Sequence, residues 1–185
     1  MNIVNKVRNF VRYQSQKPTS KYGYDVYQYH FTSVVEYARQ LSNELGGDKE
    51  VILIAAWLHD IGSIMKGRND HHITGMKIAE EKLRKLNYPE EKIKLVKLCI
   101  KHHRGSVKYV RKTIEEKIVA EADIMSNFDN ISGLFKAAYV YENMTQSRAK
   151  VSIRRKLKRK YKQLHYRKSK EIVRPRYEAA MVLLK

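Results

Sequence analysis

The sequence predicts an all-α fold, a single-domain helical bundle of eight or nine helices. Three observations carry this. Apolar residues recur at three- and four-residue spacing through nearly the whole chain, strand-like alternation is hardly seen, and the breaks between periodic segments are those of helices. With 8 Gly and 3 Pro among 185 residues, the composition is neither collagen-like nor of low complexity, and 43% apolar residues are enough for one sizeable core.

Ile3, Val7, Phe10 and Val11 mark a first helix, which gives way at Lys17-Pro18-Thr19 to a connector containing Tyr22, Tyr24 and Tyr27. From about Val26 to Leu45 a helix carries His30, Val34, Tyr37 and Leu41 on one stripe and stops at Gly46-Gly47. Asp48 caps the next helix, Lys49 to about His59, whose VILIAAWL core is apolar all round and belongs at the centre of the bundle. Gly62 lets the chain turn, a loop follows over Ser63 to Asn69, and Asp70 is the expected N-cap of a helix with Met76, Ala79, Leu83 and Leu86 inward. Tyr88-Pro89 closes that element and opens another, where Ile93, Val96, Ile100 and His103 share one inward side and Leu95, Leu98 and His102 the neighbouring one. After a polar loop, Glu115 to Ser126 sets Asp123 among Ile118, Val119 and Ala122. Further helices are expected near Ile131 to Glu142, Ser147 to about Tyr166, and Pro175 to Leu184. In this organisation residues 1–25 pack on a core of residues 26–145, and residues 146–185 form a basic helical extension of the same domain.

The net charge of +19 is unevenly distributed. Residues 146–176 contain 14 Lys or Arg and one acid, Glu171, and within them Ile153, Leu157, Tyr161 and Leu164 recur at helical spacing. That pattern is a docked amphipathic helix with a cationic outer face, either merely solvated or in contact with an acidic partner such as nucleic acid. Zinc-finger spacing and helix-turn-helix signatures are absent from the sequence. The longest apolar run, Val51 to Leu58, is eight residues, against roughly 20 for a membrane span. The polar start has no signal-peptide core, so no membrane span and a cytoplasmic location are expected. Cys99 is the only cysteine, which excludes an intrachain disulfide and a thiolate cluster and leaves His, Asp, Glu and water as metal ligands.

Six of the seven histidines, His30, His59, His71, His72, His102 and His103, fall within 74 residues, and with Asp60 and Asp123 they ride on several successive helices. Taken singly, an inward histidine is most often a hydrogen-bonded core residue. Collectively, imidazoles and carboxylates carried inward without a Lys or Arg beside them need a counter-charge, and a divalent cation satisfies both ligand types at once.

This ordered set resembles the HD-domain superfamily of metal-dependent phosphohydrolases. The resemblance lies in LHDIG, the upstream His30, HHITGMKIAEEKL, KHHRG and the distal Asp in AEADIM, and covers roughly residues 29–127. It implies an HD-like metal-binding core in which His30, His59, Asp60 and Asp123 form a metal quartet. It is similar to the subset with extra histidines, in which His71, His102 and His103 hold a second ion and Asp60 bridges. The His-x-x-x-Gly spacing to Gly75 points to His71, with His72 as the alternative ligand or a substrate-facing group. There is no Gly-Tyr-Pro after KHHRG, so the cyclic-dinucleotide branch is not implied, and Lys66 lies later after LHDIG than the lysine of that branch.

The implied cofactor is one or, as favoured here, two divalent ions; Mn, Fe, Co, Ni or Zn suit N/O ligands better than Mg does. Two ions about 4 Å apart activate a water for attack on a phosphoryl group. The implied activity is hydrolysis of a phosphate ester, whether mono- or diester, of a nucleotide or other small phosphorylated substrate. Asp60, Lys66 and Arg104 are the expected catalytic residues, and Lys66, Arg68, Arg104 and His72 the expected substrate contacts. The three tyrosines before His30 either stack on a base or pack in the core. The alternative function is a nucleic-acid-binding accessory protein that uses the basic stripe and keeps a structural or vestigial metal site.

Overall fold

The computed structural model describes residues 2–105 and 109–185, so the part of the expected polar loop at 106–108 lies outside the described residues. The described residues are all-α, and none of their helices is long and apolar enough to cross a membrane. They form two compact units, residues 1–123 and 124–185.

The first unit holds α1 (Ile3–Gln16), α2 (Thr32–Leu45), α3 (Lys49–Leu58), α4 (Ile61–Lys66), α5 (His71–Arg84), α6 (Glu90–His102) and most of α7 (Ile114–Ser126). Helix α3 is its axis. Val51 through Leu58 are all buried, and α3 packs against α1, α2 and α6. Asp48 accepts hydrogen bonds from the backbone N–H groups of Glu50 and Val51, each 3.1 Å, as an N-cap should. Helix α2 ends at the expected glycines, with Gly46 and Gly47 at φ +82° and +87°. Ahead of it, Tyr27–Phe31 winds as a π-helical segment rather than as the start of a longer α-helix, so His30 sits on a wide turn of the kind often found at functional sites. Tyr27 stacks on Tyr24 at 5.4 Å and on Trp57 at 5.5 Å, packing contacts for two of the residues that precede His30.

Two local features differ from the pattern reading. The stretch read as a turn and loop contains α4, and Asp70, in the N-cap position of α5, makes no side-chain cap. Asp70 adopts a left-handed conformation, φ 51°, and only its carbonyl serves the helix, accepting from Ile73 N at 2.8 Å and Thr74 N at 3.0 Å. Helices α4 and α5 cross closely at Gly62. A Cβ there would lie 2.2 Å from the His71 carbonyl oxygen and 2.7 Å from the Gly75 nitrogen. The absence of side chains at the crossing draws the start of α5 against Asp60.

The second unit contains α8 (Ile131–Lys136), a π-helical continuation over Ala137–Tyr141, α9 (Gln146–Gln163) and α10 (Arg167–Leu183). Thr145 caps α9, and Ala149, Ile153, Leu157 and Leu164 are buried, three of the four residues of the predicted inward stripe with Ala149 added, while Tyr161, the fourth, is half-buried. Phe128, Tyr161 and Tyr177 form an aromatic cluster, with Tyr161 and Tyr177 stacked at 4.2 Å. Helix α10 begins eight residues before Pro175 and carries that proline in its interior.

Candidate metal centre

Six of the seven expected ligands converge in the first unit: His30 from the π-helical segment, His59 and Asp60 from the turn after α3, His71 from the first residue of α5, His103 from the end of α6 and Asp123 from α7. His30 Nε2 lies 3.1 Å from His59 Nε2, 3.7 Å from Asp60 Oδ2 and 3.8 Å from Asp123 Oδ1. On the other side of Asp60, Oδ1 is 3.2 Å from His71 Nε2 and 3.5 Å from His103 Nε2. Two groups therefore have ligand atoms close enough to share an ion, His30 with His59 and Asp60, and Asp60 with His71 and His103. Asp60 belongs to both.

The backbone sets which nitrogen faces inward. His59 Nδ1 donates to Ala56 O at 2.8 Å, His71 Nδ1 to Arg68 O at 2.8 Å, and His103 Nδ1 to Ile100 O at 2.6 Å, each three residues back. A ring that donates from Nδ1 turns the Nε2 lone pair toward the cluster, the arrangement found for metal-ligating histidines. Burial holds His59 neutral, with its pKa pushed down to about 4 against the opposing pull of Asp60. Burial acts to raise the Asp60 pKa, but the neighbouring His59, His103 and His30 outweigh it and keep the carboxyl well below its usual range. Asp60 Oδ1 is buried without a hydrogen-bond donor. Burial works to lower the His103 pKa, but Asp60 outweighs burial and raises it, so this carboxylate attracts positive charge to the imidazoles around it, and a divalent cation fits this donor set.

His102 is placed elsewhere. Its Nδ1 donates to Glu116 in a short hydrogen bond and its ring lies on Tyr109 at 4.7 Å between centroids; like Asp123 it joins neither ion-sharing group among the described residues, but Asp123 Oδ1 lies within 4.0 Å of the His30 and His59 Nε2 atoms. Adjacent residues on a helix point about 100° apart, so α6 delivers one of its paired histidines to the cluster and the other to a neighbouring network. Glu116 anchors that network, accepting from Thr113 N at 2.8 Å and Lys112 N at 3.1 Å while Thr113 Oγ1 caps the Glu116 N–H at 3.3 Å. Burial works against its ionised form, but those N–H groups and His102 win and lower its pKa. Arg111, half-buried, donates to the His102 carbonyl at 2.8 Å. The Thr-x-x-Glu spacing of Thr113 and Glu116 was visible in the sequence as a capping box; nothing there announced Tyr109 or Arg111.

His72 is buried beside His71, with Nε2 3.1 Å from the Tyr109 hydroxyl and Nδ1 without a partner. Lys66 closes α4 and Arg68 follows it in the loop, both exposed, while Arg104 is half-buried directly after His103.

The HD domain family model matches residues 27–127. A tRNA (cytidine(56)-2'-O)-methyltransferase of Picrophilus torridus is 31% identical over 140 residues, covering 68% of this chain and 39% of that protein, so the chain spans about two fifths of that relative's length. Bacillus subtilis YpgQ, solved in complex with ADP, superposes with a TM-score of 0.74 at 18% identity, over 98% of this chain and 93% of that one. An HD-superfamily hydrolase of Bacillus thuringiensis gives a TM-score of 0.72 at 22% identity, over 97% and 91%. At these identities the two structures speak to the fold, and the match over residues 27–127 speaks to the family: this chain belongs to the HD-domain family.

Proposed function

We propose that the protein is a metal-dependent phosphohydrolase acting on a nucleotide or a similar small phosphate ester. The single observation that carries this reading is Asp60, an ionised carboxylate shared between two groups of inward-facing imidazoles and left without a donor on Oδ1. In this reading His30, His59, Asp60 and Asp123 hold one divalent ion, and Asp60, His71 and His103 a second. Bound there, the ions supply Lewis acidity toward a phosphoryl oxygen and bring the pKa of water close to neutral.

The chain's own residues do the rest. The carbonyls of Ala56, Arg68 and Ile100 fix three ring tautomers, so the ligands are oriented before any substrate arrives. Arg104 is the favoured cation for the charge that accumulates on the phosphoryl group, because it is half-buried next to His103; Lys66 and Arg68 are the exposed cations beside the ligand motifs. His72 offers a buried, unpartnered Nδ1 to substrate. His102 acts in this reading as a positioning residue that ties α6 to Glu116. The ADP held by YpgQ supports a nucleotide as the substrate class.

The test is metal content by elemental analysis of the purified protein, followed by phosphate release from a nucleotide panel with Mn, Fe, Co or Ni. Retained metal with turnover of at least one nucleotide is the expected result. Protein that retains no divalent metal and releases no phosphate under any of these ions overturns the reading.

A further inference from the structure

The basic stripe plays no part in the reading above. Helix α9 places Arg148, Arg155, Arg159 and Lys162 on one line, each exposed, with Lys158 exposed beside them. None of these five makes an ion pair among the described residues. The opposite side of the same helix, Ala149, Ile153 and Leu157, is buried, so the cations project outward and the apolar side is already occupied within the unit. At 1.5 Å per residue the line runs about 21 Å; Arg155, Arg159 and Lys162 follow one another at steps of four and three residues, and Arg148 lies seven residues, about two turns, before Arg155. The steps among Arg155, Arg159 and Lys162, about 5–6 Å, are comparable to the spacing of successive phosphates on an extended nucleic-acid strand, and the longer step to Arg148 to about two such spacings. Residues 124–185 as a whole hold 16 Lys or Arg against four acids. Near its N-terminal end the stripe borders a recess of about 520 Å³ lined by Met144, Ser147, Arg148, Val151, Ser152 and Arg155.

We propose that this face binds the sugar–phosphate backbone of a nucleic-acid strand, with Arg155, Arg159 and Lys162 on successive phosphates, Arg148 on one farther along, and the recess between Arg148 and Arg155 taking a sugar or base. Three of the four stripe cations are arginine, whose planar fork suits phosphate oxygens. The recess combines Met144 and an exposed Val151 with two guanidinium groups and two serine hydroxyls, a mixed lining suited to a nucleoside and its phosphate. A lipid surface is the poorer match, because membrane-bound amphipathic helices insert an apolar side and that side of α9 is buried. The contact is to backbone, so it is insensitive to base sequence and strongly dependent on salt.

The experiment is fluorescence anisotropy of the full chain with short single-stranded RNA and DNA oligonucleotides of matched sequence, across a salt series. Vesicles of phosphatidylcholine and phosphatidylserine are assayed in parallel. The stripe variant combines Arg148→Gln, Arg155→Gln, Arg159→Gln and Lys162→Gln. A control variant of equal net charge carries Lys6→Gln, Lys77→Gln, Lys85→Gln and Lys94→Gln, four exposed lysines of the first unit.

The stripe variant is expected to lose affinity by more than about tenfold, with the salt slope falling by roughly 0.7 for each phosphate contact removed. The control is expected to change little. Binding of RNA, of DNA or of both supports the proposal and identifies the source of the phosphates. Equal losses in the two variants, no binding of the native chain at low salt, or stripe-dependent binding of vesicles with stripe-independent binding of oligonucleotides overturns it. Should the fourfold variant fail to fold by circular dichroism, the pair Arg155→Gln with Arg159→Gln carries the same test. Phosphate release from mononucleotides reads the hydrolase proposal separately, so either can fail alone.

Discussion

The two units handle charge in opposite ways. In the first, several surface cations find carboxylates: Arg84 contacts Glu80 and Glu90, Lys97 contacts Glu80, Lys92 contacts Asp48 and Glu50, and Arg39 lies beside Glu36. Its conspicuous mismatch is internal, an excess of lone pairs around Asp60. In the second unit the mismatch is on the surface and of the other sign, an excess of donors along α9, where Arg148, Arg155, Lys158, Arg159 and Lys162 make no ion pair among the described residues. Acceptors without protons call for a cation, and donors without acceptors call for an anion. A protein folded around one deficit and faced with the other has two different appetites, and each can be removed separately.

The largest effect is expected from Asp60→Ala. It removes the only carboxylate common to both ligand groups, so retained metal and phosphate release should vanish together, the latter by more than about a hundredfold, since even residues that merely support metal ligands are worth up to that much. Elemental analysis and a turnover assay on the same preparation check it. Oligonucleotide affinity should be unchanged, and a parallel loss there would show that the two deficits are not independent.

Next comes Gly62→Ala, which acts on geometry instead of chemistry. Its Cβ would meet backbone, the His71 carbonyl oxygen, and backbone cannot swing aside as a flexible side chain can. Overpacking of this kind destabilises by about 3 kcal/mol, and the spreading of α4 from α5 should pull His71 away from Asp60. A lower melting temperature accompanied by weaker metal retention is the expected pair of observations. Unchanged metal affinity would mean that the close crossing does not set the ligand spacing.

How much of this was legible beforehand follows from what sequence periodicity encodes. The clustered residues His30, His59, Asp60, His71, His103 and Asp123 could be picked out because each lies on or beside a strongly periodic helix and their order along the chain resembles a family pattern. His102 could not be separated from His103, because the two neighbouring stripes of α6 are both apolar, and only the packed structure shows Leu98 exposed and Ile100 buried. The π-helical turn at Tyr27–Phe31 was invisible for a related reason: one extra residue per turn changes register without changing composition. Helix α4 is six residues long, too short for periodicity to register. Glu116 did carry a signal, its capping-box spacing, but a box explains a helix start and says nothing of a histidine bonded to it.

A middle-sized effect tests how firmly the first unit's paired charges hold. Burial works to raise the Asp48 pKa, but the hydrogen bond from Lys92 and the N–H groups of Val51 and Glu50 outweigh it and lower it from the ordinary 3.8. A carboxyl depressed on folding adds stability above its ordinary value, and that stability drains away as the pH falls through the depressed one. Acid titration of the native chain, followed by circular dichroism, should therefore show a loss of stability beginning near pH 4 and deepening below it. Asp48→Ala should cost about 1 kcal/mol at neutral pH, as a lost N-cap does, and should flatten that part of the acid profile. An acid profile identical to that of the native chain would mean that Lys92 and the cap contribute nothing to folding.

The smallest effect belongs to the stripe, and its sign is the informative part. Arg155 and Arg159, and likewise Lys158 and Lys162, are like charges one turn apart, each pair destabilising by about 0.2–0.5 kcal/mol. Exposed cations held in line without acids strain their own helix, so the fourfold glutamine variant should be more stable than the native chain in low salt, by no more than about 1 kcal/mol. Added salt should raise the native melting temperature and leave the variant's nearly unchanged, because screening relieves only a repulsion that is present. An oligonucleotide should do for the native chain what salt does, at far lower concentration, since the phosphates sit on the stripe itself. If the variant instead melts lower than the native chain at every salt concentration, the stripe residues are structural supports of α9, and the surface carries no unmet demand for an anion.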